Sequence, residues 1–298
     1  MTVSAKRLSD GPIIRANMDG RMGTNINGPS LIECPHWVPD PLGVYYLYFA
    51  DHRGTYLRLA YAEDVKGPWH TYEPGVLDVA QSSFVTETQL DGEFDYPHVA
   101  SPDVHVMSKT GEVRMYYHGL CENGDQMTAV AVSTNGINFS ARSEIVAPPY
   151  LRAFQYEGGW YGIAMPGVLM RSPDGLQPFE ACGELLPKST RHCAVLVQGS
   201  ALHVVWSQVG EAPERLYYDR VDLSQDVSSW RMSGVQEILR PIEPWEGSQA
   251  ALVPSAYGAV DDVVNQLRDP YLYEGGGQIY LLYCGGGEAG IGLTSLDV

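Results

Sequence analysis

The sequence predicts an all-β protein, built as one five-bladed β-propeller domain over residues 1–298. Three observations carry this. Strand-length runs rich in Tyr, Val, Leu and Ile recur between Gly and Pro punctuation, and the chain has 32 glycines and 20 prolines. The runs lack a helical period. Each also holds the same place in a unit that repeats five times, the signature of propeller blades.

The units read in order. Their middle strands are YYLYFA (45–50), VRMYYHG (113–119), GWYGIAM (159–165), LHVVWSQ (202–208) and IYLLYCG (279–285). Each follows a tight turn, at Gly43, Lys109-Thr110-Gly111, Gly158-Gly159, Gly199-Ser200 and Gly275-Gly276-Gly277. Ahead of each turn lies the strand that opens the unit: NGPSLI (27–32), ASPDVHV (100–106), PPYLRAF (148–154), TRHCAVLV (190–197) and LRDPYLYE (267–274). A third strand follows each run, and in some units a fourth closes near Trp69, Phe139 and Trp230. Unit five ends with its third strand, so a segment near Pro12–Ala16 is expected to supply its outer strand and close the ring. One short helix is expected, near Val260–Leu267.

Composition narrows the function. Hydrophobic residues make up 44% and charged residues 18%, enough core to exclude disorder. A net charge of −17 opposes nucleic acid and anionic membranes. Five scattered cysteines, with no CxxC, suggest reduced thiols rather than a disulfide frame or a zinc site. The N-terminal residues show no apolar signal-peptide core, and no window has the length of a membrane span. A soluble, cytoplasmic protein is expected.

In a propeller the opening strands line the central channel, so residues at their starts converge on the axis. Here those residues are Asn27 and Ser30; Ser101, Asp103 and His105; Arg152; Arg191 and His192; Arg268 and Asp269. Polar groups recurring where packing alone would take apolar ones point to a pocket. Asp103, in Ser-Pro-Asp-Val-His, and Asp269, in Arg-Asp-Pro, are the catalytic carboxylate candidates, since Asp is depleted in strands. Arg152, Arg191 and Arg268 would bind a substrate hydroxyl or carboxylate, or pair with acids. His192 is a proton donor, a metal ligand or a buried structural histidine. Hairpin ends add Asp51, His52, His118, Glu122, Gln208, Glu211 and Glu288, some of which should reach the rim; His36 and His105 join the histidine candidates. Trp37 and Trp245 sit in loops beside Pro and charged residues and are candidate sugar platforms, with Glu246 beside the second. Trp69, Trp160, Trp206 and Trp230 read as core.

NGPSLI with YYLYFA and LAYAEDVKGPW resembles the first blade of the five-bladed glycoside hydrolases. ASPDV with MYYHG resembles their second blade, and RDPYLYE with IYLLYCGG another. The resemblance, to glycoside hydrolase families 43, 32 and 117, extends over about residues 25–297. It implies release of sugar units from oligosaccharides. Departures are specific. Family 43 opens its first blade on an Asp general base, where this chain has Asn27-Gly28-Pro29. Its second-blade Asp matches Asp103, but no Glu stands near Tyr150–Arg152 for its third-blade acid. The resemblance to family 117 implies an Asp base paired with a His acid, such as Asp103 or Asp269 with His192 or His105.

The expectation is an exo-acting glycoside hydrolase on short oligosaccharides, requiring no cofactor, with an axial calcium or sodium ion near His192 left open. Two alternatives stand: a sugar-binding propeller without activity, and a lyase on uronic-acid sugars that uses the three axial arginines. Oligomeric state is not legible.

Overall fold

A computed structural model describes residues 3–298. Five antiparallel sheets form the blades. The first holds β3 (Asn27–Glu33), β4 (Tyr45–Ala50), β5 (Tyr56–Ala62) and β6 (His70–Asp78). The second holds β7 (Val99–Met107), β8 (Glu112–Leu120), β9 (Gln126–Ser133) and β10 (Ser140–Ala147). The third holds β11 (Arg152–Tyr156), β12 (Gly159–Ala164), β13 (Val168–Ser172) and β14 (Glu180–Glu184). The fourth holds β15 (Thr190–Gln198), β16 (Ala201–Gln208), β17 (Leu216–Asp222) and β18 (Gln236–Leu239). The fifth holds β19 (Leu267–Gly275), β20 (Gln278–Gly285) and β21 (Gly290–Asp297), completed by β1 (Ser4–Arg7) and β2 (Ile14–Arg15). This is the five-bladed propeller that the repeat predicts. No helix among the described residues is long and apolar enough to cross a membrane.

Three local expectations change. The segment near Val260–Leu267 is not helical: it is a bent loop, and Leu267 already begins β19. The described residues hold only three one-turn 3₁₀ segments, at Val79–Gln81, Val227–Ser229 and Pro244–Glu246. Trp69 and Phe139 stand immediately before the fourth strands rather than at their ends, each with its ring buried; Phe179 holds the same place before β14. Finally, the outer edge of blade five extends beyond Pro12–Ala16. Ser4–Arg7 pair with Thr294–Asp297, and Ile14–Arg15 pair with Gly290–Ile291.

A buried clamp locks that closure. The Arg7 guanidinium donates two hydrogen bonds to Glu246, both 2.7 Å, and Tyr283 Oη donates a third at 2.6 Å. The N–H groups of Ile242 and Glu243 supply two more. Glu246 is therefore a fully buried staple between the N-terminal strand and the blade 4–5 junction. Burial alone would raise its pKa; the Arg7 and Tyr283 hydrogen bonds reverse that and hold it below the usual range.

Between blades, alternate residues of the pleat interdigitate. Trp206, Val204 and Leu202 face Phe154, Ile163 and Leu169, while Leu281 and Tyr283 pack with Val205 and Leu216. Fully burying a side chain of this size contributes about 1.5–3 kcal/mol. Trp69, Trp160, Trp206 and Trp230 are all buried.

Candidate functional site

The inner strands β3, β7, β11, β15 and β19 surround the axis, and four of them break register where they begin. The breaks fall between Asn27 and Ser30, Ala100 and Asp103, Thr190 and Cys193, and Arg268 and Tyr271. In three strands the cause is a proline, which has no N–H for the ladder: Pro29, Pro102 and Pro270. The residue before each proline takes a left-handed backbone, with φ of 60° at Gly28, 48° at Ser101 and 45° at Asp269. Tyr150, just ahead of β11, does likewise at 59°. Such bulges re-aim a side chain, and Asp is among the few non-glycine residues that tolerate this conformation. Of the three equivalent positions before proline, only Asp269 bears a carboxylate.

Near these strand starts lies a cavity of about 380 Å³, lined among others by His52, Tyr150, Arg191, His192, Phe94 and Tyr257. Two of its imidazoles are backed by buried carboxylates. His52 Nδ1 lies 2.9 Å from Glu288 Oε1, and Glu288 also accepts from Asn25 (2.5 Å) and Arg268 (3.1 Å). Burial would push the Glu288 pKa up; the His52, Arg268 and Asn25 contacts outweigh it and hold the group at about 2. An ionised carboxylate only accepts, so His52 Nδ1 donates to Glu288.

On the other side, His192 Nδ1 lies 3.1 Å from Asp269 Oδ1, at an angle that makes no hydrogen bond. Asp269 Oδ2 is buried and unpartnered. Burial, then the nearby Glu288 charge, pushes the Asp269 carboxyl up to about 6. Burial, then the charges of Arg191 and Arg268, pushes His192 well below its ordinary range, so its ring is neutral near pH 7. The geometry alone would permit an ion pair. The opposed directions of the two shifts instead favour a neutral imidazole beside a carboxyl that holds its proton up to about pH 6. Tyr150 lies between His118 and His192, tilted by 45° and 52° to their rings, with ring centroids 4.2 and 4.6 Å away. His98, which the sequence did not single out, packs edge-on against His118 and is pushed by burial down to about 4. His118 Nδ1 has no partner.

Other candidates lie elsewhere or are already engaged. Asp103 sits beyond the bulge, where its carboxylate accepts from the Ala153 N–H (2.8 Å) and meets His105 Nε2 (2.9 Å). Burial would raise its pKa, but His105 and then Arg152 carry it below the usual range. His105 lines a different cavity with Gln155, Val195 and Tyr271. Arg152 bonds the carbonyls of Pro102 and Cys193, Arg191 bonds Glu214 and the Ala256 carbonyl, and Arg268 bonds Glu288, Gln266 and the Gly258 carbonyl. All three are buried and bonded within the protein, and of the three Arg191 lines the cavity. Glu214, a fully buried partner of Arg191 that also accepts from Ser207, carries no signal in the sequence: its role depends on a loop folding back.

Asp51 is held by Arg58 and the Arg53 N–H. Asn27 is buried with its carbonyl oxygen unpartnered. His36 and Trp37 follow the far end of β3, about 20 Å along the strand from Asn27. There Trp37 Nε1 donates to the Thr134 carbonyl, so neither residue reaches the pocket. Trp245 packs on Tyr283 and against Gly285 and Gly292, within the blade 4–5 wall. Neither tryptophan is a pocket platform. Among the described residues no group of three or more His, Cys, Asp or Glu side chains is arranged to hold a metal.

No family model matches the sequence. Solved structures share the fold. The GH43_1 enzyme from Xanthomonas citri complexed with xylotriose is 12% identical, with a TM-score of 0.64 over 98% of this chain and 89% of that one. A GH43 β-xylosidase/α-arabinofuranosidase from a compost microbial metagenome is 14% identical, with a TM-score of 0.62 over 98% of this chain and 94% of that one. A putative glycoside hydrolase from Bacteroides ovatus is 12% identical, with a TM-score of 0.67 over 99% of this chain and 96% of that one. In sequence, the uncharacterized protein R118 of Acanthamoeba polyphaga mimivirus is 30% identical over 299 residues, spanning 90% of this chain and 82% of its own length. The chain therefore belongs to the family of that mimivirus protein, on a five-bladed propeller shared with the GH43 enzymes.

Proposed function

We propose that the protein is a glycoside hydrolase that removes a terminal sugar from a short oligosaccharide at the axial cavity. One observation carries the reading: two cavity-lining imidazoles, His52 and His192, each backed by a buried carboxylate, with those carboxylates shifted in opposite directions. Environments that push paired titratable groups apart separate acid from base.

Glycoside cleavage needs a proton at the leaving oxygen and a base for the attacking water. The His192–Asp269 pair supplies the first. Asp269 Oδ1 and His192 Nδ1, 3.1 Å apart but not aligned for a hydrogen bond, come into line in this mechanism when substrate turns the imidazole; the Asp269 proton then passes to Nδ1 while the Nε2–H proton goes to the glycosidic oxygen. The imidazole is neutral before and after, consistent with its lowered pKa. As the C–O bond breaks, water attacks the anomeric carbon and gives its proton to His52 Nε2, which Glu288 orients through Nδ1–H. The products are a free sugar and an alcohol, and the single displacement inverts configuration. The propeller fold and the xylotriose complex of one neighbour favour an oligosaccharide as substrate. A volume of about 380 Å³ lies toward the lower end of the ~300–1,000 Å³ typical of ligand pockets, which suits a chain end rather than a polymer interior.

A second reading, sugar binding without turnover, is favoured by Gly28 and Ser101 at positions where blade five has a carboxylate. Product analysis on an oligosaccharide panel separates the two. Monosaccharide release that Asp269→Asn abolishes supports hydrolysis; binding without product supports the alternative.

A further inference from the structure

The mouth of the cavity carries a feature that neither dyad uses. Tyr257 and Phe94 line the cavity yet are 48% and 38% exposed, although they come from separate loops, between β18 and β19 and between β6 and β7. Large apolar side chains left in water at a cavity rim mark a binding surface. Their presentation is fixed from beneath. The carbonyl before Tyr257, on Ala256, accepts from Arg191, and the carbonyl after it, on Gly258, accepts from Arg268 at 3.3 Å. Farther along the loop the Val260 carbonyl accepts from Asn25 at 3.4 Å, and Asp261 pairs with Arg53 at 3.3 Å. Phe94 packs on Gly258, where an added Cβ would lie 3.1 Å from its ring edge. Two buried arginines thus pin the backbone on both sides of an exposed tyrosine.

We propose that Tyr257 and Phe94 form a second sugar subsite, which grips the unit next to the scissile bond. This rests on the hydrolase reading and adds that the ligand spans at least two sugar units. Sugar rings present apolar C–H faces that pack on the negative face of an aromatic ring, and a pinned ring loses little freedom on binding. Arg191, with its guanidinium 5.7 Å from the Tyr257 ring centroid, steadies the ring from the cavity side. The platform expected from Trp37 and Trp245 is thereby assigned to two residues that adjoin the cavity.

The test compares affinities for xylotriose, xylose and matched arabino- and fructo-oligosaccharides with their monosaccharides, by calorimetry. Asp269→Asn, which the hydrolase reading expects to bind without turnover, serves as the background, alone and combined with Tyr257→Ala, Phe94→Ala or Tyr257→Phe, with thermal midpoints recorded for each. The expected result is that each alanine variant loses roughly tenfold more affinity for the oligosaccharide than for its monosaccharide, while Tyr257→Phe keeps the background ratio. Equal losses for both ligands, or none, at unchanged thermal midpoints overturn the subsite and leave the hydrolase reading intact. If Asp269→Asn alone binds no sugar in the panel, both fall.

Discussion

Asp269→Asn should yield a protein that is more stable and inactive. In the folded state burial raises the Asp269 carboxyl from 3.8 to about 6. The unfolded chain therefore ionises first, and folded stability declines as pH rises from about 4 to about 6. At about 1.4 kcal/mol per pH unit, that interval corresponds to about 3 kcal/mol lost at neutral pH. Asparagine keeps the shape, cannot ionise, and tolerates the φ of 45°. The variant should gain up to about 3 kcal/mol at pH 7, a rise in midpoint of about 5 °C for a chain of this size. The gain should shrink toward zero by pH 4. Urea denaturation across pH 4–8 measures it. Loss of stability at pH 7 would refute the reasoning, because it would mean that Asp269 is an ionised partner of a protonated His192.

Three further outcomes follow from the same geometry. Glu288→Gln should cost about 3 kcal/mol at pH 7, since it leaves Arg268 buried without its closest carboxylate; the wild-type advantage, complete above about pH 4.5, should disappear as pH falls through about 2, as acid titrations of both proteins would record. Asp103→Asn should cost about 1–3 kcal/mol in urea denaturation yet lower kcat less than tenfold, since its carboxylate faces the Ala153 N–H and His105 rather than the cavity. Hydrolysis should decline as pH rises through about 6, where Asp269 loses its proton, with the pH–rate profile as the check.

The fold was legible because blade strands are local. Each aromatic middle strand and its Gly turn sit within one short window, and the inner strands open at residues that the repeat marks. The proline bulges were visible as Gly-Pro, Ser-Pro and Asp-Pro, but not their consequence. The register break sets Ser101, not Asp103, at the position equivalent to Asp269. At Gly28 an added Cβ would lie 3.0 Å from the Ser101 Cα, so a first-blade carboxylate would require the backbone to shift. Glu288 and His52 are 236 residues apart, and Glu214 reaches Arg191 only through loop geometry; pairings of that range leave no periodicity. The tryptophans misled for a related reason. Loop position suggested exposure, yet Trp245 fills a slot above Gly285 and Gly292, and it is Tyr257 that the buried arginines hold at the rim.

In the proposed mechanism the two imidazole–carboxylate dyads cleave a glycosidic bond. Its most direct test is chromatographic product analysis at pH 5 on xylo-, arabino- and fructo-oligosaccharides, with wild type, His52→Ala and Asp269→Asn side by side. Release of a monosaccharide by wild type, lost in both folded variants, is the predicted result. Binding without product from wild type, or full turnover by Asp269→Asn, would contradict it.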